Sequence, residues 1–231
     1  MKKQLLVAVA AGFIGTSAMA ASAFEGFYAQ AGIGYENDTI SSRTLWASYV
    51  NSNNTGTNGA TLSAPSSSGG GFSGALGLGY NISVAPQWLV GIGADFAPTS
   101  VTTSTQPVCS GGCTSTNNYK VSNRYSVFLA PGYEIDKDKL AYLKAGYTGE
   151  SISWQPQANF SGASSQSTTA SGYLVGLGYK QLLDKNLYVF GEGNYYSYSS
   201  KTQTGSGGGQ TIAMGGTPSA YQFLVGVGYK F

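Results

Sequence analysis

The sequence contains no histidine, and only 10% of its 231 residues are charged. Without histidine, Ser–His and Cys–His nucleophiles and all His-ligated metal sites are excluded. We therefore expect no enzyme, no metal centre and no cofactor. A soluble domain normally carries about 25% charged residues, so the shortage of charge indicates that much of the folded surface does not face water.

Long apolar runs are also missing. No segment reaches the ~18 consecutive apolar residues that a membrane-spanning helix needs, and the mean hydropathy is −0.07. In lipid, an unpaired backbone group finds no partner, so a chain that crosses a membrane without helices must close its strands into a barrel. The composition therefore favours a transmembrane β-barrel.

The N-terminus has the pattern of a targeting segment. Lys2 and Lys3 precede an apolar core over 5–14, and small-x-small sites end at Ala20 and Ala23. This pattern predicts a cleavable signal peptide over residues 1–20, with cleavage after Ala20 or Ala23, and a mature domain over 24–231. Loss of the two lysines takes the formal charge from +2 to 0, which leaves no basic field for nucleic acid.

The mature sequence repeats segments of about ten residues in which apolar residues alternate with small or polar ones. Their lengths suit tilted membrane strands of ~9–11 residues. The pattern predicts eight antiparallel strands in an up-and-down barrel, at 25–35, 71–81, 87–97, 119–135, 140–153, 171–181, 187–198 and 220–231.

Long and short connections alternate between these segments. The long ones are 36–70, 98–118, 154–170 and 199–219, and the short ones are 81–87, 136–139 and 182–186. Outer-membrane barrels have long external loops and short periplasmic turns. We therefore expect four extracellular loops and two periplasmic termini.

Side-chain parity predicts which residues face lipid. In every segment the apolar parity is free of charge between the strand ends, and aromatic residues gather at both ends, as in the interfacial girdles of membrane barrels. The other parity is expected to face the lumen, and it carries Asp95, Lys120, Arg124, Glu134, Lys144, Glu150, Lys180, Glu192 and Lys230.

Counting from the turns places some of these charges at similar heights. We predict two stacked ionic clusters, Asp95–Arg124–Glu150 above Lys144–Glu192, with Glu36 just past the first strand completing the charge balance. Buried charges must be paired or hydrated. We interpret the clusters as a structural plug, and a gated ion path through them is the alternative. The inward glycines are expected to leave room for the long charged side chains.

The first long loop contains apolar residues in an otherwise polar stretch. Trp46 and Tyr49 are the largest of them. They either belong to an extension of the β-wall above the membrane, which we favour, or form a contact patch.

Cys109 and Cys113 are the two cysteines of the chain. Export to an oxidising compartment favours a small disulfide between them. The alternative, half of a metal site, is disfavoured because the sequence has no histidine and no second cysteine pair.

Several motifs together resemble a known family. They are the first strand 26–35, the Gly-x-Gly-Tyr strand ends at 77–80, 176–179 and 226–229, and the terminal Phe231. The chain resembles small outer-membrane β-barrels of the opacity-protein type, which are related in architecture to OmpX and to the membrane domain of OmpA. The enzymes among outer-membrane barrels depend on histidine in the families concerned, so their activities are not expected here.

The resemblance implies an integral outer-membrane location, with membrane lipids and lipopolysaccharide as neighbours. It also implies that the terminal strand, with Tyr229 and Phe231, is the signal read by the barrel-assembly machinery. No peptidoglycan-binding domain is expected after Phe231. Because one barrel fold serves many roles, the function stays open between two interpretations: surface display and adhesion through the loops, and a narrow porin-like channel for ions or small solutes.

Overall fold

The computed structural model describes residues 22–50, 57–109, 113–156, 166–207 and 210–231. The predicted signal peptide over 1–20 lies outside these ranges. No helix that could span a membrane is found among the described residues.

Regular alternation of side chains and frequent Val, Ile, Tyr and Thr favour extended backbone in the mature chain. The described ranges form thirteen strands: β1 (Gly26–Ile40), β2 (Arg43–Val50), β3 (Thr57–Ala64), β4 (Ser67–Ala85), β5 (Trp88–Thr102), β6 (Gln106–Cys109), β7 (Cys113–Asp136), β8 (Lys139–Pro156), β9 (Gln166–Leu182), β10 (Leu187–Tyr198), β11 (Lys201–Gly207), β12 (Gln210–Gly216) and β13 (Pro218–Lys230).

Eight of these strands form the barrel wall. Their order around the barrel is β1–β4–β5–β7–β8–β9–β10–β13, all pairs are antiparallel, and β13 pairs with β1 to close the ring. The predicted closed eight-stranded barrel is therefore confirmed. Short turns join strands at one end, here called the turn end, and the long connections lie at the other, the loop end.

The long connections contain strands of their own, which the sequence analysis did not predict. β2 pairs with β3 and also with β12, and Ser63 of β3 pairs with Cys109 of β6. Segments from the first, second and fourth long connections therefore join one sheet beyond the rim. Their Ser, Thr and Gly content resembles that of irregular loops, but this composition does not prevent backbone pairing once neighbouring strands supply partners.

The predicted outward parity is confirmed by exposure. Leu78 is 65% exposed, Leu177 66% and Val225 64%, although all three are apolar. In water such a surface would be an aggregation site, whereas in a bilayer it contacts acyl chains.

One predicted inward residue faces outward. Lys120 of β7 is exposed, while its neighbours Tyr119 and Val121 are buried. The register of β7 with β8 shifts between Ser122 and Tyr125, and Asn123 has a φ of 53°. This bulge inserts one extra residue and reverses the parity of β7 above it. The prediction for Lys120 was wrong because sequence parity assumes an uninterrupted strand.

Candidate functional site in the lumen

Arg124 lies at the centre of an upper cluster in the lumen, defined here as Glu36, Asp38, Arg124 and Glu150. Its Nη2 is 2.9 Å from Asp38 Oδ1 and 2.7 Å from Glu150 Oε2, and its Nη1 contacts Glu36. All four side chains are buried. Glu36 and Asp38 lie on β1 and Arg124 on β7, so these ion pairs cross the lumen.

Aromatic and amide groups complete the surroundings of the upper cluster. The Arg124 Nε donates a hydrogen bond to the Tyr198 hydroxyl at 2.8 Å, and the guanidinium lies 4.3 Å from the centre of the Tyr196 ring. Gln222 Nε2 donates to Glu36 Oε2 at 2.8 Å. Such charge-assisted bonds and cation–π contacts offset part of the desolvation cost of the buried ions.

Lys144 holds a lower cluster together, defined here as Asp95, Lys144 and Glu192. Its ammonium is 2.8 Å from Glu192 Oε1, contacts Asp95 and lies 4.1 Å from the centre of the Phe128 ring. The sequence-based prediction places Asp95 in the group around Arg124. That assignment was wrong, because heights counted along separate strands do not say which way a side chain turns across the lumen.

Lys180 forms a third layer nearest the turn end, which the sequence analysis did not foresee. Its ammonium lies 3.8 Å from the ring centre of Tyr28, 4.8 Å from that of Tyr188 and 5.3 Å from that of Tyr142. We call these three rings the tyrosine cage. Cation–π attraction stabilises a desolvated ammonium by about 2 kcal/mol per favourable ring.

Several inward glycines make room for aromatic rings, and Gly77 makes room for the charged side chain of Asp95. Tyr28 is paired with Gly79, Tyr142 with Gly178 and Tyr188 with Gly228, and in each case a Cβ on the glycine would meet the ring. A cross-strand ring that covers a glycine shields the backbone there and restores packing. The second glycine of each Gly-x-Gly-Tyr motif lies opposite one of these rings, a pairing that becomes visible only with the strand register.

The lumen layers differ in charge. The upper cluster has three carboxylates and one cation, whereas the lower cluster and Lys180 together have two carboxylates and two cations. Asp38 Oδ2 is buried without a hydrogen-bond partner among the described residues. Acidic groups therefore outnumber basic ones around Arg124, whereas the two kinds are equal in number nearer the turn end.

Side chains fill the lumen closely beside the tyrosine cage. A cavity lined by Tyr28, Tyr142, Lys180 and Glu192 has a volume of about 10 Å³, which is space for roughly one water molecule. In the described part of the chain, no group of three or more His, Cys, Asp or Glu residues is arranged to hold a metal ion.

The remaining predicted site residues lie at the two ends of the barrel. Trp46 and Tyr49 lie on β2, whose backbone pairs on both sides, with β3 and with β12. The contact patch stays a prediction. Tyr229 and Phe231 lie at the turn end, 48% and 72% exposed, with ring centres 5.2 Å apart. Their role in assembly also stays a prediction.

Cys109 and Cys113 are backbone partners, because β6 pairs with β7 at these two residues. Directly opposed positions in an antiparallel pair have short Cβ separations. A disulfide between them remains a prediction.

Two lumen tyrosines provide a matched test of this packing. Tyr198→Phe should lower the free energy of unfolding by about 1.5–3 kcal/mol, because Arg124 loses a hydrogen bond. Tyr142→Phe should leave the free energy of unfolding unchanged, because the Tyr142 hydroxyl is buried without a partner among the described residues. Phenylalanine also keeps the ring over Lys180. Urea unfolding in lipid vesicles measures both, and equal losses would contradict the assigned contacts.

Comparison with known proteins agrees with this architecture. The family model described as "Outer membrane protein beta-barrel domain" matches residues 6–231. The outer membrane protein OprG from Pseudomonas aeruginosa is 14% identical, with a TM-score of 0.55 over 91% of this chain and 98% of that one.

Two further solved barrels are similar at lower scores. Ail, the attachment invasion locus protein of Yersinia pestis, is 15% identical, with a TM-score of 0.42 over 90% of this chain and 99% of that one. The outer membrane protease OmpT from Escherichia coli is 11% identical, with a TM-score of 0.49 over 92% and 99%. No curated protein is matched by sequence.

Proposed function

Since the chain belongs to the outer membrane protein β-barrel domain family, we propose that it anchors a surface-exposed sheet in the outer membrane and presents it to partners outside the cell. In this proposal the lumen is a plug and the protein has no enzymatic activity. Short turns and both termini lie in the periplasm, and the long connections face outward, in the orientation usual for outer-membrane barrels.

The main support for a plugged lumen is the set of ion pairs that cross it. Arg124 of β7 reaches two carboxylates on β1, and Lys144 of β8 reaches one on β5 and one on β10. An eight-stranded barrel is just wide enough for side chains to fill. Opening a path for solutes would require these buried pairs to separate, which costs several kcal/mol for each uncompensated charge.

The loop-end sheet supports the display role. Strands β2, β3, β6 and β12 join three of the four long connections into one surface. Binding residues are often found on segments that a rigid scaffold positions. Trp46 and Tyr49 lie on this sheet and are the proposed contact residues, while lipopolysaccharide surrounds the wall and the terminal strand engages the assembly machinery.

A narrow channel for ions or small solutes is the second candidate. The polar and charged lining of the lumen favours it, because Gln222, Asn194 and the two ionic clusters would solvate an ion better than an apolar core. A gate would then require the ion pairs of the upper cluster to rearrange.

Liposome swelling separates the two functions. Vesicles that contain the wild-type barrel should swell in arabinose or glycine no faster than protein-free vesicles, because the lumen is filled. A general porin in parallel vesicles supplies the positive control. Swelling at a rate that rises with the amount of barrel would contradict the plug and favour the channel.

A further inference from the structure

Backbone pairing between β4 and β5 is incomplete, and we call the unpaired stretch the seam. Their paired register runs from the turn end up to Leu76 and Phe96, and no further pair is formed between them in the described ranges. Both strands nevertheless continue toward the loop end, to Ser67 and Thr102. The seam therefore begins within the wall and not at its rim.

The cause of the seam lies in β5. Pro98 has no N–H to donate, and the register of β5 with β7 shifts between Ala97 and Ser100. The N–H of Gly74 donates instead to the Thr99 hydroxyl at 3.3 Å. A side chain thus supplies the partner that a backbone group in lipid must have.

A large apolar recess opens on the lipid-facing wall beside this seam. Its volume is about 910 Å³, and it extends over parts of β10, β13, β1, β4 and β5. Large outward side chains lie along it, including Ile33, Phe72 and Leu76, each at least 58% exposed. Between them, Ala31 and Gly74 offer little or no side chain. The missing side-chain volume creates the concave surface.

We propose that this recess is a binding site for one acyl chain of an outer-membrane lipid. The lining is apolar apart from Thr99, whose hydroxyl is already bonded to Gly74. A polar ligand would therefore find only the hydroxyl proton of Thr99 to bind there. Acyl chains are the medium that surrounds this part of the wall, and a concave surface contacts a chain on several sides, whereas a flat one contacts it on one. A chain in the recess should exchange more slowly than its neighbours.

Photo-crosslinking tests this site. The full barrel is placed in phosphatidylcholine vesicles that contain a trace of phosphatidylcholine with a diazirine-labelled acyl chain, illuminated, and analysed by peptide mass spectrometry. Adducts should concentrate on the segments 31–33 and 72–76. Uniform labelling around the wall would overturn the proposal.

Filling the recess provides the matched variant. Gly74→Leu should reduce adducts on these segments about tenfold, because it removes several methylene contacts. A Cβ at Gly74 meets its nearest atom at 3.7 Å, so the backbone accepts the change. Ala145→Leu, on the exposed face of β8, is the control and should leave labelling unchanged.

Folding of each variant is checked by its heat-dependent shift in gel mobility, and Ala31→Leu replaces Gly74→Leu if the latter does not fold. Labelling that is unchanged in the folded recess variant, or lowered equally by Ala145→Leu, would contradict the site.

Discussion

Arg124→Ala should lower the free energy of unfolding by about 3–5 kcal/mol, because it leaves buried carboxylates without their cation. The loss should lie at the upper end of this range, since Glu36, Asp38 and Glu150 all depend on one guanidinium. Urea unfolding in lipid vesicles, followed by the intensity of the heat-shifted gel band, measures the change.

Lys120→Ala is the matched control for this prediction. It removes a cation from the same strand, but Lys120 is exposed, so the change should stay within about 0.5 kcal/mol. A second variant separates charge from packing: adding Asp38→Asn to Arg124→Ala should recover part of the stability, because one surplus negative charge disappears. An Arg124→Ala barrel as stable as the Lys120→Ala barrel would refute the upper cluster.

Gly34→Ala should prevent barrel closure. A Cβ at Gly34 would overlap the carbonyl oxygen of Phe223 and lie 2.8 Å from its carbonyl carbon and 3.0 Å from Leu224 Cα. These atoms belong to the backbone of β13, the strand whose pairing with β1 closes the ring. Backbone cannot move aside as a flexible side chain can, so the pair must separate at this point.

Gly74→Ala is the control for closure, because its Cβ would meet only ordinary contacts. In refolding from urea into vesicles, the Gly74→Ala barrel should give the compact, heat-shifted gel band and the Gly34→Ala barrel should not. Normal refolding of both would show that β1 and β13 are further apart than the register implies.

Sequence periodicity predicted the wall well. A period of two with charge confined to one parity is a strong signal, because a slip of one residue would place every ion in lipid. The eight strands and their lipid faces follow from this constraint. The prediction from periodicity fails at Asn123, where a bulge changes the parity of β7 and turns Lys120 outward. No pattern in neighbouring residues marks that position.

The lumen was predicted only in part. Arg124, Glu150, Lys144 and Glu192 are inward, and the structure joins them in the expected pairs. Asp38 was missed because β1 extends to Ile40, beyond the predicted strand end at residue 35. Membrane strands can continue above the bilayer, where hydrophobicity no longer limits their length.

The tyrosine cage was missed for another reason. Tyr28, Tyr142 and Tyr188 share the parity of glycines and charges, and Tyr also populates the lipid girdles. Residue type alone does not distinguish the two environments. The glycine opposite each ring distinguishes the lumen from the lipid girdle, but this glycine is visible only when the strand register is known.

The orientation of side chains along β7 is the central claim, and spin-label accessibility tests it most directly. In a chain with Cys109→Ser and Cys113→Ser, single nitroxide labels are scanned from 119 to 129 in vesicles, and collision with lipid-soluble oxygen is measured. We expect the collision rate with oxygen to be highest at positions 125, 127 and 129. Beyond Asn123 the alternation should reverse, so that labels at 120 and 122 collide with oxygen more often than labels at 119 and 121. High collision rates at every odd-numbered position from 119 to 129, or a maximum at position 124, would contradict the assigned side-chain orientation.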